Sequence, residues 1–168
     1  MGILMSEKFN SLNDVFQHEL KDLYDAEMRI VEALPQMAEK ASNPKLKQAF
    51  EQHRRQTETH VQRLESVFKH CGLEPDRVKC DGVAGIISEG SDILSAEGDK
   101  DAIDAALIGA AQKVEHYEMA SYGTARTFAR RLGDNYAAEL LEQTLDEEKE
   151  TDQKLTEIAE SAVNPASV

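Results

Sequence analysis

Glu27, His60, Glu115, Glu118, Glu148 and Asp152 fall on the apolar stripes of four helical segments, where ionised carboxylates rarely sit without a partner. Glu115 and Glu118 are three residues apart and Glu148 and Asp152 four apart. Each spacing puts its pair on one helix face. Carboxylates with one imidazole are hard oxygen ligands plus a nitrogen. That set suits iron, manganese or magnesium better than thiolate-seeking ions. The five carboxylates carry −5, so two divalent ions nearly neutralise them, whereas one would leave −3 in a low-dielectric core. The expected cofactor is iron or manganese, as one or two ions. Two redox-active ions in a helical bundle can reduce oxygen or peroxide, or oxidise ferrous iron.

Several neighbours bear on the same chemistry. His53 shares a stripe with His60 but lies roughly 10 Å off the level of the set, so it reads as a flank. Gln56, one turn from His60, is a supporting neighbour. Tyr24 and Tyr122 fall one turn from Glu27 and Glu118; they can donate to the carboxylates or carry an electron, and packing is their plainer role. Arg63 and Arg126 offer a rival to metal, because buried ion pairs with Glu115, Glu118 or Glu148 need no cation from outside. His116 is expected to point outward or into a subunit interface. Glu58 faces away, and Glu89 is expected to be solvated.

Helices must position this set. Ser11 and Asp14 form a helix-starting cap, followed by the stripe Leu12, Phe16, Leu20, Leu23, Glu27, Ile30, Leu34. Pro35 predicts a kink or early end. Ser42-Asn43-Pro44 restarts a second helix that runs to about Cys71 and Gly72. A loop over 73–81 leads to a short helix near 82–96, with Val83, Ile86, Ile87, Gly90 and Leu94 on one face. Gly98 ends it and Asp99 caps a third long helix reaching about Leu132. Gly133-Asp134 turns into a fourth, and the tail from Asn164 is expected to fray.

The tight turns make two antiparallel hairpins, joined by one long crossover. Glu27 and His60 lie about 16 residues to either side of the first turn, and Glu118 and Glu148 about 15 to either side of the second. The hairpins therefore bring all four to one depth if both turns lie at the same end of the bundle. The expected organisation is an extension over 1–10, a bundle over 11–162 and a tail over 163–168.

Composition narrows the function classes. The 168 residues suit one domain, 30% are charged and Trp is absent. A net charge of −13 disfavours nucleic acid and anionic membranes. Met1 to Met5 is too short for a signal peptide, and no apolar run spans a bilayer. A cytoplasmic location is expected, with Cys71 and Cys80 as reduced thiols.

Glu19-Leu-Lys-Asp-Leu-Tyr-Asp-Ala-Glu27, Lys79-Cys80, Ala110-Ala-Gln-Lys-Val-Glu-His-Tyr-Glu118 through Ser121-Tyr-Gly123, and Thr144-Leu-Asp-Glu-Glu-Lys-Glu-Thr-Asp152 resemble the YciE/YciF family of bacterial ferritin-like proteins. The resemblance spans nearly the whole chain. It implies an all-α, ferritin-like four-helix bundle with a short fifth helix in its crossover, a homodimer and an association with stress. It implies no established reaction. Ferritin-like sites draw one Glu from each of two helices and Glu-x-x-His from each of the other two. Here Thr57 stands three residues before His60, Asp152 stands four after Glu148, and no Glu-x-x-His occurs. The alternative function is a metal-free helical dimer with a structural or interaction role. A cage-forming iron store and a DNA-protecting role are more remote.

Overall fold

The computed structural model describes residues 8–168. The apolar start Met1 to Met5, and most of the expected 1–10 extension, lie outside the described residues. Helix α1 (Leu12–Lys40) opens with the reciprocal cap: Ser11 Oγ accepts from the Asp14 N–H, and the Asp14 carboxylate accepts from the Ser11 N–H. It does not end at Pro35 but continues to Lys40. Pro35 is exposed, so the backbone group it leaves unpaired can turn to water.

Helix α2 (Pro44–His70) starts under the Asn43 cap and stops at Gly72, whose φ of 69° only glycine adopts freely. Helix α3 (Asp81–Leu94) begins one residue earlier and ends two earlier than expected, with Cys80 at its cap. Asp99 caps α4 (Lys100–Arg131) and Asp134 caps α5 (Asn135–Ile158). The tail does not fray at once. A π-turn (Ala159–Val163) and a last turn α6 (Asn164–Ala166) follow, because Val163 is fully buried in the core.

The four long helices form a ring in the order α1, α2, α5, α4, with each neighbouring pair in contact. Asp104, near the start of α4, is buried and accepts from the Ser42 and Asn43 N–H groups at 2.9 and 2.6 Å. Asp134, at the second turn, meets His70 at 3.1 Å. The two hairpin turns therefore lie at opposite ends of the bundle, not at one end. All ring neighbours run antiparallel, and the 71–99 crossover must travel the bundle's length. Its α3 packs on α4 and α1.

The crossover is tied down by Asp25, only 3% exposed, which accepts from Arg29, Arg77 and the Cys80 N–H. The core forms two apolar clusters. One gathers Leu34, Leu46, Phe50, Leu107, Leu155 and Val163 near the first turn. The other gathers Phe16, Leu20, Phe68, Tyr122, Ala129 and Leu141 near the second. The polar residues singled out in the sequence lie between them.

Candidate metal centre

Glu27, His60, Glu115, Glu118 and Glu148 are all buried, at 1% exposure or less. Each sits near the middle of its helix, flanked along the stripe by the apolar residues that draw the helix inward. Their ligand atoms form two groups that share Glu148. His53, Glu115, Glu118 and Glu148 make one; Glu27, His60 and Glu148 make the other. Within each, one atom per residue lies within 4.8 Å of all the rest.

His53 corrects the flank reading. It is 4% exposed and its Nε2 lies 3.1 Å from Glu115 Oε1. The roughly 10 Å offset runs along the α1–α2 hairpin, whereas the partner Glu115 is on α4, about one turn along that helix from Glu118. Asp152 corrects the set in the other direction. It is half-buried, accepts from Gln112 at 3.1 Å and lies 3.4 Å from the exposed His116, outside both groups. A four-residue step from Glu148 turns it to the flank of α5. His116 points outward as expected.

Glu147 carried no signal of its own beside Glu148, yet it organises His60. Its Oε2 lies 2.7 Å from His60 Nε2, and Arg63 holds the same carboxylate at 3.0 and 3.1 Å. The opposite ring atom, His60 Nδ1, lies 2.8 Å from Glu148 Oε1 and 3.4 Å from Glu27 Oε1. An imidazole pinned by a carboxylate on one nitrogen, with the other aimed inward, is the usual arrangement of a metal-binding histidine. Arg63 and Arg126 do not close the acidic core. Arg63 serves Glu147 and Thr144, and Arg126 pairs with Glu142 at 2.7 Å.

Tyr122, fully buried, donates a very short hydrogen bond to Glu27 Oε1. Tyr24 does not join it; its hydroxyl donates to Glu65 at 2.9 Å near the surface. Glu89 and Glu58 pair with Lys113 and Arg54 outside the core. Gln56 reaches only the edge, accepting from Thr151 at 3.5 Å. Cys71 and Cys80 are free thiols.

Electrostatics record the crowding. Burial raises Glu115 to about 8 and Glu148 to about 7, and with the neighbouring carboxylates it raises Glu118 well above the usual range. Burial depresses His53. Burial would depress His60 too, but Glu27, Glu147 and Glu148 outweigh it and push it up to about 12. Glu147 falls to about 2 because His60, then Arg63, hold its charged form.

Ten buried side-chain N or O atoms lack a hydrogen-bond partner among the described residues, and nine belong to His53, His60, Glu27, Glu115, Glu118 and Glu148. Several approach one another closely, yet their lone pairs are not aligned for hydrogen bonds. They converge on common points, as ligands around a cation do. Without Asp152 the carboxylates number four, and when ionised their −4 would be matched by two divalent ions.

The family model described as a domain of unknown function, DUF892, matches residues 11–167. Protein YciF of Escherichia coli (strain K12) is 45% identical over 155 residues, covering 92% of this chain and 93% of that protein. The crystal structure of the E. coli stress protein YciF superposes with a TM-score of 0.89 at 44% identity, over 93% of this chain and 99% of that one. YcfI of Rhodopseudomonas palustris, described provisionally as a structural protein, gives 0.88 at 38%, over 91% and 98%.

Proposed function

The chain belongs to the DUF892 family, and from that premise we propose that it is a ferritin-like stress protein with a dinuclear iron or manganese centre reacting with oxygen, peroxide or ferrous iron, working as a cytoplasmic homodimer. The observation that carries the reading is the nine unpartnered atoms on six converging side chains. A native structure leaves only a few such atoms per hundred residues. Here nine gather on six neighbouring side chains, and each costs about 1–3 kcal/mol or more when charged. A bound cation satisfies them together.

The donor set fits the family pattern in content though not in spacing. Four Glu and two His is the complement of ferritin-like dinuclear sites. Here both imidazoles come from α2 as His53 and His60, two turns apart, and α4 supplies two carboxylates. Glu148, common to both groups, would contribute to both ligand sets. Bound iron or manganese would supply the one-electron chemistry that oxygen or peroxide demands. The chain's own residues hold the geometry. Tyr122 restrains Glu27, Glu147 with Arg63 fixes the His60 ring, and the two apolar clusters flank the site along the bundle.

The rival reading is a metal-free helical protein with a structural or interaction role, which the description of the R. palustris relative favours. Metal content separates the two. After anaerobic loading with ferrous iron or manganese, the chain is expected to retain about two ions by plasma mass spectrometry. Changing Glu118→Gln together with Glu148→Gln should abolish that uptake. No uptake by the unaltered chain, or full retention by the double variant, would overturn the metal reading.

A further inference from the structure

Two cavities reach the candidate centre from opposite faces and meet at one pair of side chains, His53 and Glu115. The smaller, about 110 Å³, opens between α2 and α5 past Gln52, Gln56, Thr151 and Lys154. That opening is lined by polar side chains, which suits ions and water. The larger, about 220 Å³, lies beneath α3, where α3 spans α1 and α4. Its walls include Ile30, Leu34, Met37, Ile86, Ile87 and Val114. An ion would have to shed its hydration against hydrocarbon there.

The cavity is a built site and not a packing gap. It exceeds the ~150 Å³ that takes up benzene in an engineered apolar cavity. On α3 only Val83 is fully buried, and Ile86, Ile87 and Leu94 are left half-buried, so an apolar occupant would complete their burial. At the inner end His53 and Glu115 are 4% and 1% exposed; His53 Nε2 faces Glu115 Oε1 at 3.1 Å without hydrogen-bond alignment, and His53 Nδ1 and Glu115 Oε2 have no hydrogen-bond partner. The end that meets them must offer a polar atom. It cannot be a carboxylate, because Glu115, Glu118 and Glu148 already crowd that point.

We propose that the cavity binds a small neutral organic molecule with an apolar body and one hydrogen-bonding end, about the size of a substituted benzene, its polar end against His53 and Glu115. The inference deepens the metal reading and rests on it in one respect: such a molecule would be what the centre acts on. Binding itself needs no metal.

The test uses the full chain, metal-free and metal-loaded, with 4-methylbenzyl alcohol as probe. Methyl NMR should show saturable shifts confined to Ile30, Ile86, Ile87, Leu94 and Val114. Gly90→Leu should fill the space, since a Cβ at Gly90 meets only Ala110 Cβ at 3.6 Å. It should weaken the probe at least about tenfold and leave metal uptake unchanged. Ala33→Leu fills the same space from α1 if the first variant does not fold. Shifts that never saturate or scatter over the surface, or undiminished affinity in the folded variants, overturn the proposal. Probe binding that weakens as protein concentration rises also overturns it, by showing a second copy over the cavity. Saturable binding without metal uptake sinks the metal reading alone, and metal uptake without probe binding sinks this one alone.

Discussion

At the scale of single residues, the centre depends on side chains that hold others still. Glu147 is the clearest, because it touches His60 Nε2 and leaves Nδ1 to the interior. Replacing such a supporting carboxylate typically costs 10–100-fold in metal affinity. Glu147→Gln is therefore expected to weaken metal binding by roughly that factor in a chelator competition while the helical fold persists. Unchanged affinity would show that His60 is not a ligand or needs no support. Stripe periodicity pointed to Glu27, His60, Glu115, Glu118 and Glu148, since a polar residue at a core position is visible in the pattern. It overlooked Glu147, which lies off the stripe and acts through contact with another helix.

At the scale of elements, the question is what aligns two independent hairpins. Asp104 does this at one end, accepting two backbone N–H groups from the α1–α2 turn onto α4. Hydrogen bonds to a buried charged acceptor are worth about 1.5–3 kcal/mol each. Asp104→Ala should lower stability by at least about 2 kcal/mol in urea unfolding, and amide exchange around 41–46 should rise. A loss below about 0.5 kcal/mol would mean that apolar packing alone sets the docking. Capping signals placed the helix starts to within a residue, because caps are local. Of the two outcomes expected at Pro35, the early end does not occur: whether a helix survives a proline depends on its surroundings, and here the site is exposed and Ala38, one turn on, is buried.

At the scale of the whole molecule, an acidic chain keeps a cluster of carboxylates in its interior, and that couples folding to pH. Glu115 and Glu148 have folded values near 8 and 7, above their ordinary 4.5. Their raised values favour the folded state fully below about 4.5, and that contribution is lost as pH rises through 7 and 8. His60, raised from 6.5 to about 12, adds a loss in the same direction above 6.5. Glu147, lowered to about 2, acts the opposite way, and its contribution disappears only as pH falls below 4.5. The metal-free protein is thus expected to melt at least about 5 °C lower at pH 8 than at pH 5. Metal requires the deprotonated ligands, so loading should flatten or reverse that slope. Calorimetry on both forms checks it. A metal-free melting temperature that is flat across this range would mean that the carboxylates ionise freely, with water present among them.

The sequence by itself determined the all-α class, the helix starts, the single long crossover and the helical positions where polar groups interrupt the core. These follow from local physics: caps, turn residues and a 3.6-residue period act within a few neighbours. Tertiary structure alone decided which polar groups meet. The turns lie at opposite ends, so the condition on which the level matching was built is not met, yet the site residues still share one level because each sits near the middle of its helix, where reversing a hairpin changes little. Rotation of each helix about its axis then admitted His53 and excluded Asp152. That rotation is set by packing against several neighbouring elements at once, which no spacing along a single stripe encodes.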